Sequence, residues 1–205
     1  MLRTALWTTL ALVAFSANSL LCRLALRHAL IDPASFTTVR LVAGALTLAL
    51  LARLQSGSAP SAVPSWGSAA MLFLYAAPFS FAYGMLTAGT GALLLFGAVQ
   101  VTMILGALRA GDRPNAPQWI GLGIAFGGLV YLVLPGITAP SPLGAILMLL
   151  AGLAWGLYSL RGRAARNPLA QTASNFARTV PMVLVLSLMT HRAIHAGRTT
   201  QAEPP

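Results

Sequence analysis

Seven apolar runs decide what this chain can become: Leu6 to Cys22, Ala34 to Leu54, Trp66 to Leu86, Ala88 to Leu108, Gln118 to Leu134, Leu143 to Leu160 and Leu169 to Met189. A run of about 17 to 25 apolar residues is long enough, as a helix, to cross the roughly 30 Å hydrocarbon core of a bilayer. In lipid a spanning segment must satisfy its own backbone hydrogen bonds, so runs of this length read as helices. The expected fold is an all-α, polytopic membrane helix bundle of about seven transmembrane helices. Composition agrees, because 57 % of the residues are apolar and only 8 % are charged, too few to cover a water-facing surface.

The breakers fall between the runs. They are Ile31, Asp32 and Pro33; Ser56 to Pro60; Gly111 to Pro114; and Pro135 and Gly136 through Pro142. Links this short place neighbouring helices antiparallel and leave no room for a soluble domain.

All 13 basic residues are arginine, against Asp32, Asp112 and Glu203, and the formal charge is +10. Such a charge would suit a nucleic-acid binder if it formed a stripe. Here every arginine except Arg40 and Arg178 sits between or beside apolar runs, where arginines fix membrane orientation, so no nucleic-acid partner is expected. Placing the N-terminus in the cytoplasm puts Arg3, Arg53, Arg109, Arg113, Arg161, Arg163 and Arg166 inside and Arg23, Arg27, Arg192 and Arg198 outside, the favoured sense. Trp7, Trp66 and Trp119 open the first, third and fifth runs and would form an aromatic belt on that face. The expected location is a cell membrane, the inner membrane of a bacterium. Ala14 to Ala17 resembles a signal cleavage site, but the apolar run continues through Cys22.

Cysteine and histidine exclude other chemistry. Cys22 is the one cysteine, and His28, His191 and His195 lie outside the apolar runs, so neither an internal disulfide, a metal site nor a cofactor is expected. A membrane-embedded enzyme would need an intramembrane nucleophile and base, and no histidine or carboxylate lies in any run to serve, so no enzymatic activity is expected. The same lack of acids removes proton coupling through a membrane carboxylate.

Arg23 and Arg40 are 17 residues apart, as are Arg161 and Arg178. In both pairs one helix ends at the first arginine and the next carries the second arginine inside it. Runs six and seven therefore repeat runs one and two at an offset of five spans, and an odd offset inverts the second copy, as in many secondary transporters.

These residues resemble the EamA-type members of the drug/metabolite transporter superfamily. The likeness rests on Pro33 to Arg40 opening helix two, Ala88 to Leu94 opening helix four, and Gly111, Asp112 and Arg113 followed by Gln118 to Gly121 and Gly127–Gly128 in helix five. Ala154 to Tyr158 and the arginines after them complete it. The resemblance implies small metabolites as cargo, export as the direction, and ten helices in two inverted five-helix repeats. This chain would then hold a first repeat over 1–137, two helices of a second over 138–189, and a disordered polar tail over 190–205. Two smaller departures are Asp112 where the family commonly has glutamate, and Ala98-Val99-Gln100 where many members place a proline. A second repeat of two helices leads to the expectation that the chain alone transports poorly, with a homodimer or another membrane subunit as partner.

Six residues are candidates for the substrate path: Asn18, Arg40, Gln100, Trp155, Tyr158 and Arg178. Arg40 and Arg178 each cost about 2.5 to 3.5 kcal/mol at membrane depth, so they should face the bundle interior as counter-charges to an anionic substrate, or else cap carbonyls or snorkel to the near interface. Asn18 and Gln100 need amide partners, supplied by a substrate or by an interhelical hydrogen bond. Trp155 and Tyr158, one turn apart, offer a stacking surface or simple packing. Gly123 to Gly127 and Gly152 to Gly156 have the spacing of helix contacts through small residues, not of a dinucleotide loop.

Overall fold

The computed structural model describes residues 2–27, 31–55, 65–133, 141–163 and 165–200. Seven helices make it up: α1 (Leu2–Arg27), α2 (Pro33–Gln55), α3 (Trp66–Met85), α4 (Ala88–Arg109), α5 (Ala116–Val133), α6 (Pro142–Gly162) and α7 (Pro168–Thr200). Six of them, all but α5, are long and apolar enough to cross a membrane. The 18 residues of α5 would span about 27 Å at 1.5 Å per residue, near the lower limit for crossing. The breakers at Ser56 to Pro60 and at Pro135 and Gly136, together with His28 and Glu203, lie outside the described residues.

Past Thr190, where the polar tail was expected to begin, α7 runs on through Thr200, and residues 201–205 lie outside the described residues. A helix satisfies its backbone internally, so it can outlast its apolar segment, and Thr190 joins it by donating its hydroxyl to the Leu186 carbonyl at 2.9 Å. The apolar part of α7 ends near Arg192.

Side chains fix where six of the helices begin. The N-terminal turn of a helix leaves unsatisfied N–H groups, and an Asp, Asn, Ser or Thr just before it accepts from them. Asp32 Oδ1 accepts from the N–H of Ala34 and Ser35 at 3.0 and 2.9 Å, with Pro33 in the first helical position. Ser65, Thr87, Ser141 and Asn167 do the same for α3, α4, α6 and α7. Asn115 and Gln118 cap α5 reciprocally, each side chain accepting the other's N–H. At its far end α4 closes on Gly111, whose φ of 90° suits glycine, with Gly111 and Asp112 donating back to Leu108 and Ala107.

The most buried span is α3, and the bundle is organised around it. It runs antiparallel to α6, since its first turn lies against Arg161 through Gly67 and its last residues against Gly144. Beside α6, α4 runs parallel, with Gly91 against Met148 at one end and Gly106 against Leu160 at the other. That pairing is close because of two glycines. A Cβ on Gly152 would stand 2.5 Å from the Leu95 carbonyl oxygen, and one on Gly156 would stand 2.7 Å from Thr102 Cβ. Small residues let helices approach in this way, as the spacing predicted. The other expected pair behaves differently: Cβ atoms on Gly123 and Gly127 would meet nothing within 4 Å, because α5 leans chiefly on α4 and turns these glycines outward.

Phe79, Tyr83, Leu72 and Met148 fill the centre. Polar groups there close on their own helix, with Thr37, Ser80 and Thr102 donating to the carbonyls of Pro33, Ala76 and Ala98. The outer surface is apolar, with Leu46, Ile124, Val185 and Leu188 all more than half exposed, as suits a surface that meets lipid.

Candidate functional site

A cavity of about 550 Å³ opens between α1, α2, α3, α6 and α7. Among its lining residues are Asn18, Arg40, Trp155 and Tyr158, four of the six candidates marked in the sequence. Tyr75 also lines it and is the tenth residue of the 20-residue α3, which sets the cavity near mid-depth. Sites of about 300 to 1,000 Å³ with apolar walls and few polar groups are typical for small ligands.

The walls are aromatic and continuous. Trp155 stacks on Tyr158, one turn along α6, with ring centres 5.6 Å apart and planes 29° apart. Across the cavity it meets Tyr75 at 4.7 Å and the edge of Phe15 at 6.2 Å. Tyr75 in turn leans on Phe79 at 5.2 Å. On the α7 side Phe176 packs over Gly44, where a Cβ would stand 2.6 Å from the ring. Phe15, Tyr75 and Phe176 line this site without having been candidates, because an aromatic residue in a run of leucines and alanines looks the same whether it faces a cavity or a neighbour.

Arg40 supplies the charge. Its guanidinium sits over the faces of Phe79 and Tyr75, 4.9 and 5.4 Å from the ring centres, an arrangement stabilised by the negative face of each ring. Its Nη1 is buried without a hydrogen-bond partner among the described residues. Asn18, half-buried on α1, likewise finds no hydrogen-bond partner among them. Two polar groups thus face one cavity with unmet hydrogen-bonding capacity, which is costly at depth unless a ligand or water meets it.

The other two candidates lie elsewhere. Arg178 is not in this cavity: its Nη1 donates to the Ser174 carbonyl at 3.1 Å and to the Ser174 hydroxyl, and the guanidinium lies over Trp66. Gln100 is exposed and lines a separate cleft of about 480 Å³ between α4 and α5, with Asp112, Arg113 and Gln118. Behind Tyr158 lies a smaller polar pocket of about 90 Å³, lined by Ser68, Arg161 and Asn175 among others. Asn175 is 3 % exposed, donates to the Tyr158 hydroxyl at 3.4 Å and has no partner for its own carbonyl oxygen among the described residues. It escaped the candidate set although its amide inside an apolar run carried the same signal as Asn18.

Fold and cavity together define a membrane-type helical bundle with an aromatic, singly charged pocket at its middle. No family model and no solved structure matches the chain. Among curated proteins it is 53 % identical over 189 residues to the uncharacterized protein PA1977 of Pseudomonas aeruginosa, an alignment that covers 92 % of this chain and 66 % of that protein. The chain thus spans just under two thirds of its relative's length.

Proposed function

We propose that this protein is a small-molecule transporter of the EamA, drug/metabolite type, seated in a bacterial inner membrane with its N-terminus in the cytoplasm, and that the cavity around Arg40 is its substrate site. The observation that carries the reading is the buried Nη1 of Arg40, without a hydrogen-bond partner among the described residues, inside a mid-depth cavity built from five helices. Ionisable groups at membrane depth are costly and mark substrate or ion paths. The extensive packing of α2 on α7, the helices that carry Arg40 and Arg178, supports an inverted repeat, because transporters of that kind form the site where their repeats meet. The arginine distribution supports the orientation.

The test is flux. Liposomes holding the purified chain are loaded with pooled metabolites and followed against empty vesicles. Saturable flux, slow as expected of this chain alone, that Arg40→Ala removes supports the reading, and flux equal to that of empty vesicles overturns it for this chain.

A second reading, a subunit that assembles with another membrane protein or with its own copy and moves nothing itself, is favoured by α1 and α5. Leu6, Trp7 and Leu12 of α1 and Ile120 of α5 are each more than half exposed, and α5 packs chiefly on α4. Crosslinking from these faces to a second polypeptide in native membranes, together with absent flux, would select it.

A further inference from the structure

We infer that the cavity takes an amphipathic monoanion: a carboxylate held by Arg40, joined to a flat apolar body, with no positive charge. The inference rests on this cavity being the substrate site and names the chemistry that the site selects.

The argument begins with charge. The Nη1 of Arg40 lacks an acceptor among the described residues, and the three acids of the chain, Asp32, Asp112 and Glu203, all lie outside the apolar runs. No residue of the cavity lining can therefore neutralise Arg40, and a bound anion would do so. A carboxylate matches a guanidinium in geometry, and Asn18 puts a further amide donor on the same lining. An ammonium group brought into the cavity would meet a like charge with no acid beside it, and like charges a few ångströms apart repel strongly at low dielectric. This disfavours cations outright and makes zwitterions poorer ligands than simple acids.

The body follows from the walls. Phe15, Tyr75, Trp155 and Phe176 present ring edges and faces, so a planar apolar group finds offset and edge-on contacts. A volume of about 550 Å³ accepts one or two fused rings and the atoms that carry the acid.

The experiment uses the full chain in detergent, with Trp7, Trp66 and Trp119 changed to phenylalanine so that Trp155 reports alone. Three nearly isosteric probes are titrated at neutral pH: 4-nitrobenzoate, whose nitro group quenches indole fluorescence, its neutral amide 4-nitrobenzamide, and, as a competitor of the quencher, zwitterionic 4-(aminomethyl)benzoate. The expected result is saturable quenching by the acid, with the amide and the zwitterion each at least about tenfold weaker, the size of one charge-assisted hydrogen bond. Arg40→Gln should erase the preference for acid over amide, and Arg40→Lys should keep part of it. Gly44→Leu, which adds bulk to the lining and crowds the Phe176 ring, should weaken acid and amide alike. That variant leaves the charge untouched and so stays informative if Arg40→Gln fails to fold.

Equal binding of acid and amide, an acid preference that survives Arg40→Gln, or no saturable quenching by any probe would each overturn the inference. Flux of neutral solutes through the wild-type chain without acid preference would remove this inference and leave the transport reading standing. Acid binding without flux would do the reverse.

Discussion

The guanidinium of Arg40 lies 4.9 Å from the ring centre of Phe79, the side chain that is 0 % exposed at the middle of the bundle. Part of the cost of burying an arginine inside the bundle is thus offset by a ring that itself packs against Tyr75 and Tyr83. Cation–π contacts contribute about 0.5 to 2 kcal/mol, rising as water is excluded. Phe79→Leu keeps most of the apolar volume and removes the ring face, so thermal unfolding in detergent should show a loss of about 1 to 2 kcal/mol. In a double-mutant cycle with Arg40→Gln, the two changes should couple by about 0.5 kcal/mol or more. Strict additivity would show that the ring does not stabilise the charge.

The α4–α6 contact makes a prediction that separates two glycine pairs of equal spacing. A leucine at Gly152 must push against the Leu95 backbone, which cannot move aside as a side chain can, whereas a leucine at Gly123 enters open space. Overpacking of this kind costs typically about 1 to 3 kcal/mol. Gly152→Leu should therefore lower the melting temperature and the yield of monodisperse protein, with Gly123→Leu unchanged. A drop of similar size at both positions would mean that α5 is covered by a partner.

Asp32 links stability to pH. Partial burial works to raise its pKa, but hydrogen bonds from the Ser35 side chain and from the Ser35 and Ala34 N–H groups outweigh that and hold the carboxyl below its usual value. A carboxyl with a depressed folded-state pKa contributes stability that is fully present above its unfolded value, about 3.9, and is lost as pH falls through the folded value. The melting temperature should accordingly fall as pH drops below about 4, and Asp32→Asn, which keeps an N-cap without the charge, should remove that part of the fall. Asp32→Ala should cost about 1 kcal/mol at neutral pH. A pH profile identical in wild type and Asp32→Asn would contradict this account.

Much of the architecture was legible because hydropathy in a spanning segment is dictated by lipid and not by neighbours. The run Ala88 to Leu108 differs from α4 by one residue, and Trp66 to Leu86 differs from α3 by one. The end of α7 was not legible, since polarity marks where the bilayer stops and not where a helix does. Which small residues meet a neighbour was also hidden: Gly123 and Gly152 carry the same local signal, and only the position of α5 relative to α4 and α6 tells them apart. In the site, polar side chains inside apolar runs pointed to the lining, as Asn18 and Arg40 show. The same signal marked Gln100, which lies in the α4–α5 cleft, because sequence gives depth along a helix more securely than direction around it.

The two arginines related by spacing should part in experiment. Arg178 has what Arg40 lacks among the described residues, hydrogen-bond acceptors in the hydroxyl and carbonyl of Ser174 one turn back, and it too lies over a ring, that of Trp66. Its hydrogen bonds close within α7, so its removal takes away local support and leaves the cavity lining unchanged. Arg178→Gln should lower stability by about 1 kcal/mol, since a glutamine can recover part of the hydrogen bonding and none of the cation–π contact, while binding of 4-nitrobenzoate to Trp155 stays within about twofold of wild type. Arg40→Gln should do the opposite, weakening the probe at least about tenfold and changing the melting temperature little, because the lost ring contact is balanced by relief of a buried charge without an acceptor. Thermal melts and probe titrations on the same two preparations decide it. If Arg178→Gln weakened the probe as much as Arg40→Gln, the two arginines would act on one ligand, and the cavity would have to extend to Trp66.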